Sequence, residues 1–355
     1  MKKSVLVLHG PARDDQSMRL RPLHCALAVL VTAVWGVNFV VIEVGLRHFP
    51  PLLFSALRFL VAALPAVFLV RRPGVALRWI VAVGLALGVA KFGLLFIGMR
   101  AGMPAGLSSL VLQVQAVFTA VFAAAFLRER LGRVRLAGMA VALAGIAVAG
   151  AGQGSTGPLG GFLLVVAAAA AWGVSNVLTR KAAPPDAFSW MVWVSLVPPL
   201  PLAALSLLFE GPAADLAALR SLDLSGLGAV CFVAWVATLF GFAAWGFLLR
   251  HYDASSVAPF SLLVPVFGMT SAALLLGERI TPLDALAAAL LIGGVTLVSL
   301  AGRRVSPAGR RVSPAGRRDG RVAAAGAPAA ADAEATPDVS PAASGAAPKS
   351  AAGAP

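Results

Sequence analysis

Ten stretches of mostly apolar residues, separated by gaps too short to hold a soluble domain, run through most of this sequence. They fall at 22–42, 50–70, 78–99, 103–127, 134–152, 158–179, 187–209, 225–249, 255–276 and 283–301. A bilayer core of about 30 Å is crossed by about 20 helical residues rising 1.5 Å each. With no water inside the hydrocarbon, the backbone must satisfy its own polar groups, so runs of this length are helices. The breaks carry proline, glycine or charge, as in His48-Phe49-Pro50-Pro51 and Arg71-Arg72-Pro73-Gly74. Charged residues make up only 12% of the chain, about half of what a soluble surface carries. The pattern predicts an all-α polytopic membrane protein with ten transmembrane helices. It excludes a large soluble enzyme, a coiled coil and a disulfide-built secreted module.

The formal charge of +14 first suggests a nucleic-acid partner, but its placement argues for none. The arginines gather in alternate gaps and in the last 54 residues. With a cytoplasmic N-terminus, the inner segments before the tail hold fifteen basic residues. The outer loops hold four, Arg47, Arg100, Arg220 and Arg279. The positive-inside rule then sets the orientation, and an even number of spans places both termini in the cytoplasm. Residues 1–21 read as a cytoplasmic leader; their apolar part, Val5 to Leu8, is too short for a signal peptide. Met18 is an alternative start. From 302 to 355 the chain repeats Ala-Gly-Arg-Arg-Val-Ser-Pro and then turns to alanine, proline, glycine and serine, a composition that forms no core and predicts a disordered cytoplasmic tail. Cys25, Cys231 and four scattered histidines form no ligand cluster, so neither a metal nor a cofactor is expected.

The two halves echo one another. Trp35-Gly36-Val37-Asn38 returns as Trp172-Gly173-Val174-Ser175, followed by Asn176. Leu127-Arg128-Glu129-Arg130-Leu131 returns as Leu276-Gly277-Glu278-Arg279-Ile280. The repeats are expected at 22–152 and 158–301, with five spans each. An odd number of spans turns the second copy over, and inverted repeats of this kind typify secondary transporters.

Polar side chains inside the spans are costly in hydrocarbon and mark candidate pathway positions. Asn38, Arg58, Lys91, Gln113 and Asn176 are the candidate substrate-binding residues. Arg58 offers a forked donor for a carboxylate. Lys91 lies too deep to snorkel and needs an acceptor, a wet cavity or loss of its proton. A structural role, bonded to helix ends or carbonyls, is the alternative for both. Glu43, near an outer end, is either an interfacial anchor or a pathway residue. Gln113 and Gln115 sit two apart, so one is expected to face a cavity and the other a helix contact. Trp35 and Trp172, which recur in both halves, are candidate gate residues. So are Pro259 and Pro265, whose missing N–H groups favour a broken helix near the midplane. The spans expected to line a central site are 1, 3, 4, 6, 8 and 9.

Several blocks, taken in order, resemble the EamA family of the drug/metabolite transporter superfamily over about residues 22–301. They are Val34-Trp35-Gly36-Val37-Asn38-Phe39, Leu57-Arg58-Phe59, Gly102-Met103-Pro104-Ala105-Gly106-Leu107-Ser108-Ser109, Val257-Ala258-Pro259-Phe260-Ser261 and Leu276-Gly277-Glu278-Arg279. Within the family they resemble the branch that exports O-acetylserine and cysteine. That branch has lysine in place of Glu43 and glutamine in place of Lys91. The resemblance implies two inverted EamA repeats in a bacterial inner membrane, exporting small amino-acid-like metabolites by alternating access. Its implied partners are the small-molecule substrate, membrane lipids and either protons or a counterflowing substrate, with a homodimer left open. A different metabolite or drug as cargo, a channel and a membrane enzyme are the competing functions.

Overall fold

The structure, a computed structural model, describes residues 20–129, 131–152, 159–252 and 254–303. Most of the expected leader and tail, with Met18 and Arg130, lies outside them. The described residues are helical apart from short connections. The long helices are α1 (Pro22–His48), α2 (Pro51–Val67), α3 (Leu77–Arg100), α4 (Ala105–Leu127) and α5 (Arg133–Gly152). They continue with α6 (Leu159–Ala182), α7 (Ala187–Phe209), α8 (Leu224–His251), α9 (Ala258–Leu276) and α10 (Pro282–Arg303). Among the described residues nine of these are long and apolar enough to cross a membrane, and α2, with 17 residues, is the shorter apolar one. The chain is thus an all-α polytopic membrane protein. A short helix, Pro212–Arg220, joins α7 to α8.

Polar contacts between helix ends define two faces. On one, Glu210 accepts from Leu52 N and Leu53 N, Glu278 from Ala105 N and Gly106 N, and His48 pairs with Asp223. On the other, Ser189 donates to Arg71 O, Arg250 pairs with Asp186, and the His24 ring meets the Tyr252 hydroxyl at 2.6 Å. Glu129 pairs there with Arg135 and Arg180. The face that carries Glu278 is called the Glu278 face below, and the other the Arg250 face.

Four helices depart from α-geometry in matched places. α3 is π-helical over Gly84–Phe92, and α8 over Phe232–Phe240. α4 carries a 3₁₀ turn at Leu112–Val114, and α9 opens with one at Ala258–Leu262. α7 is interrupted between Ser195 and Pro199, where the Leu196-Val197-Pro198 stretch breaks the ladder. Departures of this kind recur at functional sites because they free backbone carbonyls and re-aim side chains.

Packing between helices relies on glycine, since lipid supplies no hydrophobic force to press helices together. A Cβ on Gly36 would lie 2.8 Å from Gly268 N, so α1 and α9 touch backbone to backbone. A Cβ on Gly138 would lie 2.8 Å from Gly294 O, which locks α5 against α10. Gly293, one residue earlier, faces open space. The core of large side chains, including Phe54, Phe59, Phe92 and Phe96, lies between α2, α3 and their neighbours.

A candidate substrate cavity

The middle of the bundle contains a cavity of about 370 Å³. All five candidate binding residues, Asn38, Arg58, Lys91, Gln113 and Asn176, line it, and so do Trp35 and Trp172. They come from α1, α2, α3, α4 and α6, and α8 and α9 complete the wall through Phe242, Trp245 and Ser261. α2, absent from the expected set of lining spans, is there because it brings Arg58. Pro259 and Pro265 do not line the cavity: Pro259 is exposed in the 3₁₀ turn and Pro265 is buried in the first turns that follow it. Glu43 is half-buried and lies outside the lining.

Each cation has a specific setting. Arg58 is 3% exposed. Its Nε and Nη2 donate to Thr238 Oγ1 at 3.2 and 3.0 Å, and that hydroxyl donates to Val233 O at 2.7 Å. The last bond spans five residues and belongs to the π-helical stretch of α8. Arg58 Nη1 is buried and has no hydrogen-bond partner. The guanidinium lies 3.9 Å from the Phe92 ring centroid, and Lys91 Nζ lies 3.3 Å from the same centroid and 4.5 Å from that of Trp172. Lys91 is 5% exposed. One aromatic ring therefore serves two cations. A ring face offsets about 0.5–2 kcal/mol for each, well short of the several kcal/mol that desolvating an ion costs.

The remaining polar wall is neutral. Asn38 Oδ1 is buried without a partner. Gln113 Nε2 donates to Ser261 O at 3.0 Å, tying α4 to the 3₁₀ turn of α9. Asn176 Nδ2 donates to Gln115 Oε1 at 2.8 Å and Thr119 Oγ1 at 3.1 Å. Gln115 both lines the cavity and makes that helix contact, so the expected division between it and Gln113 fails. The 3₁₀ turn is the reason. Residues two apart are separated by about 160° around an α-helix but by about 120° at three residues per turn. No carboxylate lines the cavity among the described residues.

The cavity is closed toward the Glu278 face. There the lining is buried at Asn38, Phe39, Leu95 and Ser109, and Gly268 of α9 meets the Ser109 side chain of α4. Toward the Arg250 face the lining is half-exposed at Trp172, Asn176, Trp245 and Ser261 and exposed at Ala258. Trp35 Nε1 donates to Ala237 O at 2.9 Å, and its ring lies 5.2 Å from Trp245, which places the indole across the cavity wall. Thr238, Phe92 and Ser109 were not among the candidates from sequence. The one signal Thr238 gave was a lone hydroxyl in the apolar run Phe232–Phe240. Phe92 looked like an ordinary span residue, and Ser109 read, with Ser108 and Thr119, as one of several hydroxyls on span 4.

A bundle of membrane-crossing helices encloses a cavity whose largely apolar wall carries a few convergent polar side chains, the usual make-up of a small-molecule site. The sequence matches the EamA-like transporter family over residues 23–151 and again over 159–300. The chain belongs to that family, within the drug/metabolite transporter superfamily. It is 43% identical over 285 residues to a probable amino-acid metabolite efflux pump of Salmonella typhimurium, covering 79% of this chain and 95% of that protein. A protein of the same description from Escherichia coli is 43% identical over 275 residues, covering 76% and 92%. A probable terminal-alkyne amino-acid exporter of Streptantibioticus cattleyicolor is 30% identical over 288 residues, covering 78% and 94%. A crystal structure with 21% identity superposes with a TM-score of 0.56, covering 82% of this chain and all of that one, and supports the fold alone.

Proposed function

We propose that this protein is a secondary transporter that exports small amino-acid-like metabolites of the cysteine and O-acetylserine type from the bacterial cytoplasm. Asn38, Arg58, Lys91, Gln113 and Asn176 bind the substrate in the central cavity, and Trp35 and Trp172 act in gating. Pro259 and Pro265 contribute through the bent start of α9. The observation that carries the reading is the convergence of all five polar candidates, from five different helices, on one cavity. The names of the relatives at 43% identity point the same way.

The transporter works by alternating access between two inverted five-helix repeats, 22–152 and 158–301, with both termini cytoplasmic. Three observations support this arrangement. The family matches twice along the chain. The π-helical stretches recur in α3 and α8, and the 3₁₀ turns in α4 and α9. Both α4 and α9 end on a left-handed residue, Arg128 and Gly277, directly before a glutamate. The cavity opens toward the Arg250 face, which the arginine count makes the cytoplasmic side, so this is the state that loads cargo for export. Exchange of substrate or of protons is the energy source, and a homodimer is compatible with this scheme.

The test is efflux from proteoliposomes loaded with labelled cysteine, O-acetylserine, threonine, homoserine or a cationic dye, with and without a proton gradient. Saturable counterflow of the amino acids supports the reading. Efflux of the dye alone favours another cargo on the same fold, and non-saturable leakage of all five favours a channel.

A further inference from the structure

We infer that the cavity selects amino-acid cargo bearing a second acidic group, a net anion rather than a neutral zwitterion. This rests on the reading that the chain exports small amino-acid-like metabolites, and it places acidic amino acids ahead of cysteine and O-acetylserine, which are neutral zwitterions. The argument is one of unmet partners. Arg58 Nη1 is buried with no acceptor. Lys91 Nζ lies against the faces of Phe92 and Trp172. No carboxylate among the described residues lines the cavity to answer either cation. Two positive charges beside one ring disfavour each other, and an anion placed beside them favours both. One α-carboxylate satisfies the free edge of Arg58. It leaves the Lys91 ammonium with ring faces alone, which replace only part of its hydration.

A second anionic group on the cargo completes the set. Asn38 lines the cavity and its Oδ1 is a buried acceptor that lacks a donor, which we assign to the cargo's ammonium. The complement of the cavity is therefore two anionic groups and one cationic donor on a small frame. A volume of about 370 Å³ holds such a molecule. Amino dicarboxylic acids, sulfonated amino acids and O-phosphorylated amino acids share this chemistry.

The experiment uses the purified full chain in liposomes, with counterflow of labelled L-aspartate and of labelled L-serine. Unlabelled L-aspartate, L-cysteate, O-phospho-L-serine, L-serine, L-cysteine and O-acetyl-L-serine compete. The expected result is half-inhibition by at least one acidic compound at a concentration about tenfold below that of every neutral one, as an added charge-assisted contact implies. Which of the three acidic compounds competes best identifies the second group as carboxylate, sulfonate or phosphate. Lys91→Gln removes the acidic preference and Lys91→Arg restores it. Neutral compounds competing as well as the acidic ones in the wild type overturn the inference, and that comparison needs no variant to fold. A preference that survives Lys91→Gln overturns it too. Counterflow of none of the six overturns the transport reading and this inference together, whereas counterflow of the neutral compounds alone overturns this inference and spares the transport reading.

Discussion

Glu278 links the end of α9 to the start of α4, and its substitution should open the closed side of the cavity. Its Oε1 accepts from Ala105 N at 2.7 Å and its Oε2 from Gly106 N at 3.0 Å. Those two N–H groups belong to the first turn of α4, where no carbonyl within the helix can accept from them. A carboxylate there gains charge-assisted bonds and a favourable position on the helix dipole. Gly277, at φ 71°, reverses the chain just before Glu278 and so aims it sideways at α4. Glu278→Gln keeps the size, removes the charge and turns an amide NH₂ toward donors. A bond to a charged group contributes about 1.5–3 kcal/mol. Half-burial of Glu278 and the one acceptor that Gln retains bring the expected loss to about 2 kcal/mol. At 1.4 kcal/mol per tenfold, the balance shifts toward the state open on the Glu278 face by about thirtyfold.

Ser109 reports the shift. It is 1% exposed and packs against Gly268 at the closure. A smaller pocket of about 220 Å³, lined by Leu107, Met269 and Glu278 among others, lies on the Glu278 face. The parent for the assay carries Ser109→Cys with Cys25→Ser and Cys231→Ala, because both native thiols are free and half-buried. A membrane-impermeant maleimide is applied to the Glu278 face of sealed vesicles. Glu278→Gln should raise the initial labelling rate by about the factor above, up to the reagent's own limit. An unchanged rate in correctly folded protein would refute the assignment of this contact to the closure.

Thr238→Val should leave Arg58 with no hydrogen-bond partner, since Thr238 Oγ1 accepts from both Nε and Nη2; a loss of about 3 kcal/mol in stability is expected, with Thr238→Ser recovering most of it in a thermal-melting assay. Gly294→Ala and Gly293→Ala should part company in the same assay. The first forces a Cβ to within 2.8 Å of Ala142 Cα and destabilises by about 1–3 kcal/mol; the second meets open space and is neutral or stabilising by up to about 1 kcal/mol. Trp35→Phe should break the bond to Ala237 O and cost about 1 kcal/mol, read as faster cargo exchange on the Arg250 face if the indole restrains the wall. Arg250→Ala should alter melting by less than about 1 kcal/mol, because its pair with Asp186 is exposed.

The sequence alone determined that the chain crosses a membrane as helices, for a reason that involves no tertiary contact. Long apolar runs with few charges have no other stable state in hydrocarbon, and their spacing is set by bilayer thickness. It also singled out Asn38, Arg58, Lys91, Gln113 and Asn176, because a polar group inside such a run is conspicuous. It gave no sign of Phe92, whose ring lies under both cations, since a phenylalanine in an apolar span looks like every other one. The tertiary structure decided which polar groups meet. Gln115 joined the cavity only because a 3₁₀ turn changed the angle between it and Gln113, and Arg58 found Thr238, 180 residues away, through the π-helical stretch of α8. Pro259 and Pro265, equally conspicuous by type, fell outside the lining. A side chain's cost in the bilayer follows from its own chemistry, but the direction it faces depends on local helix geometry and on the backbone contacts that glycines permit, and both emerge only when the helices pack.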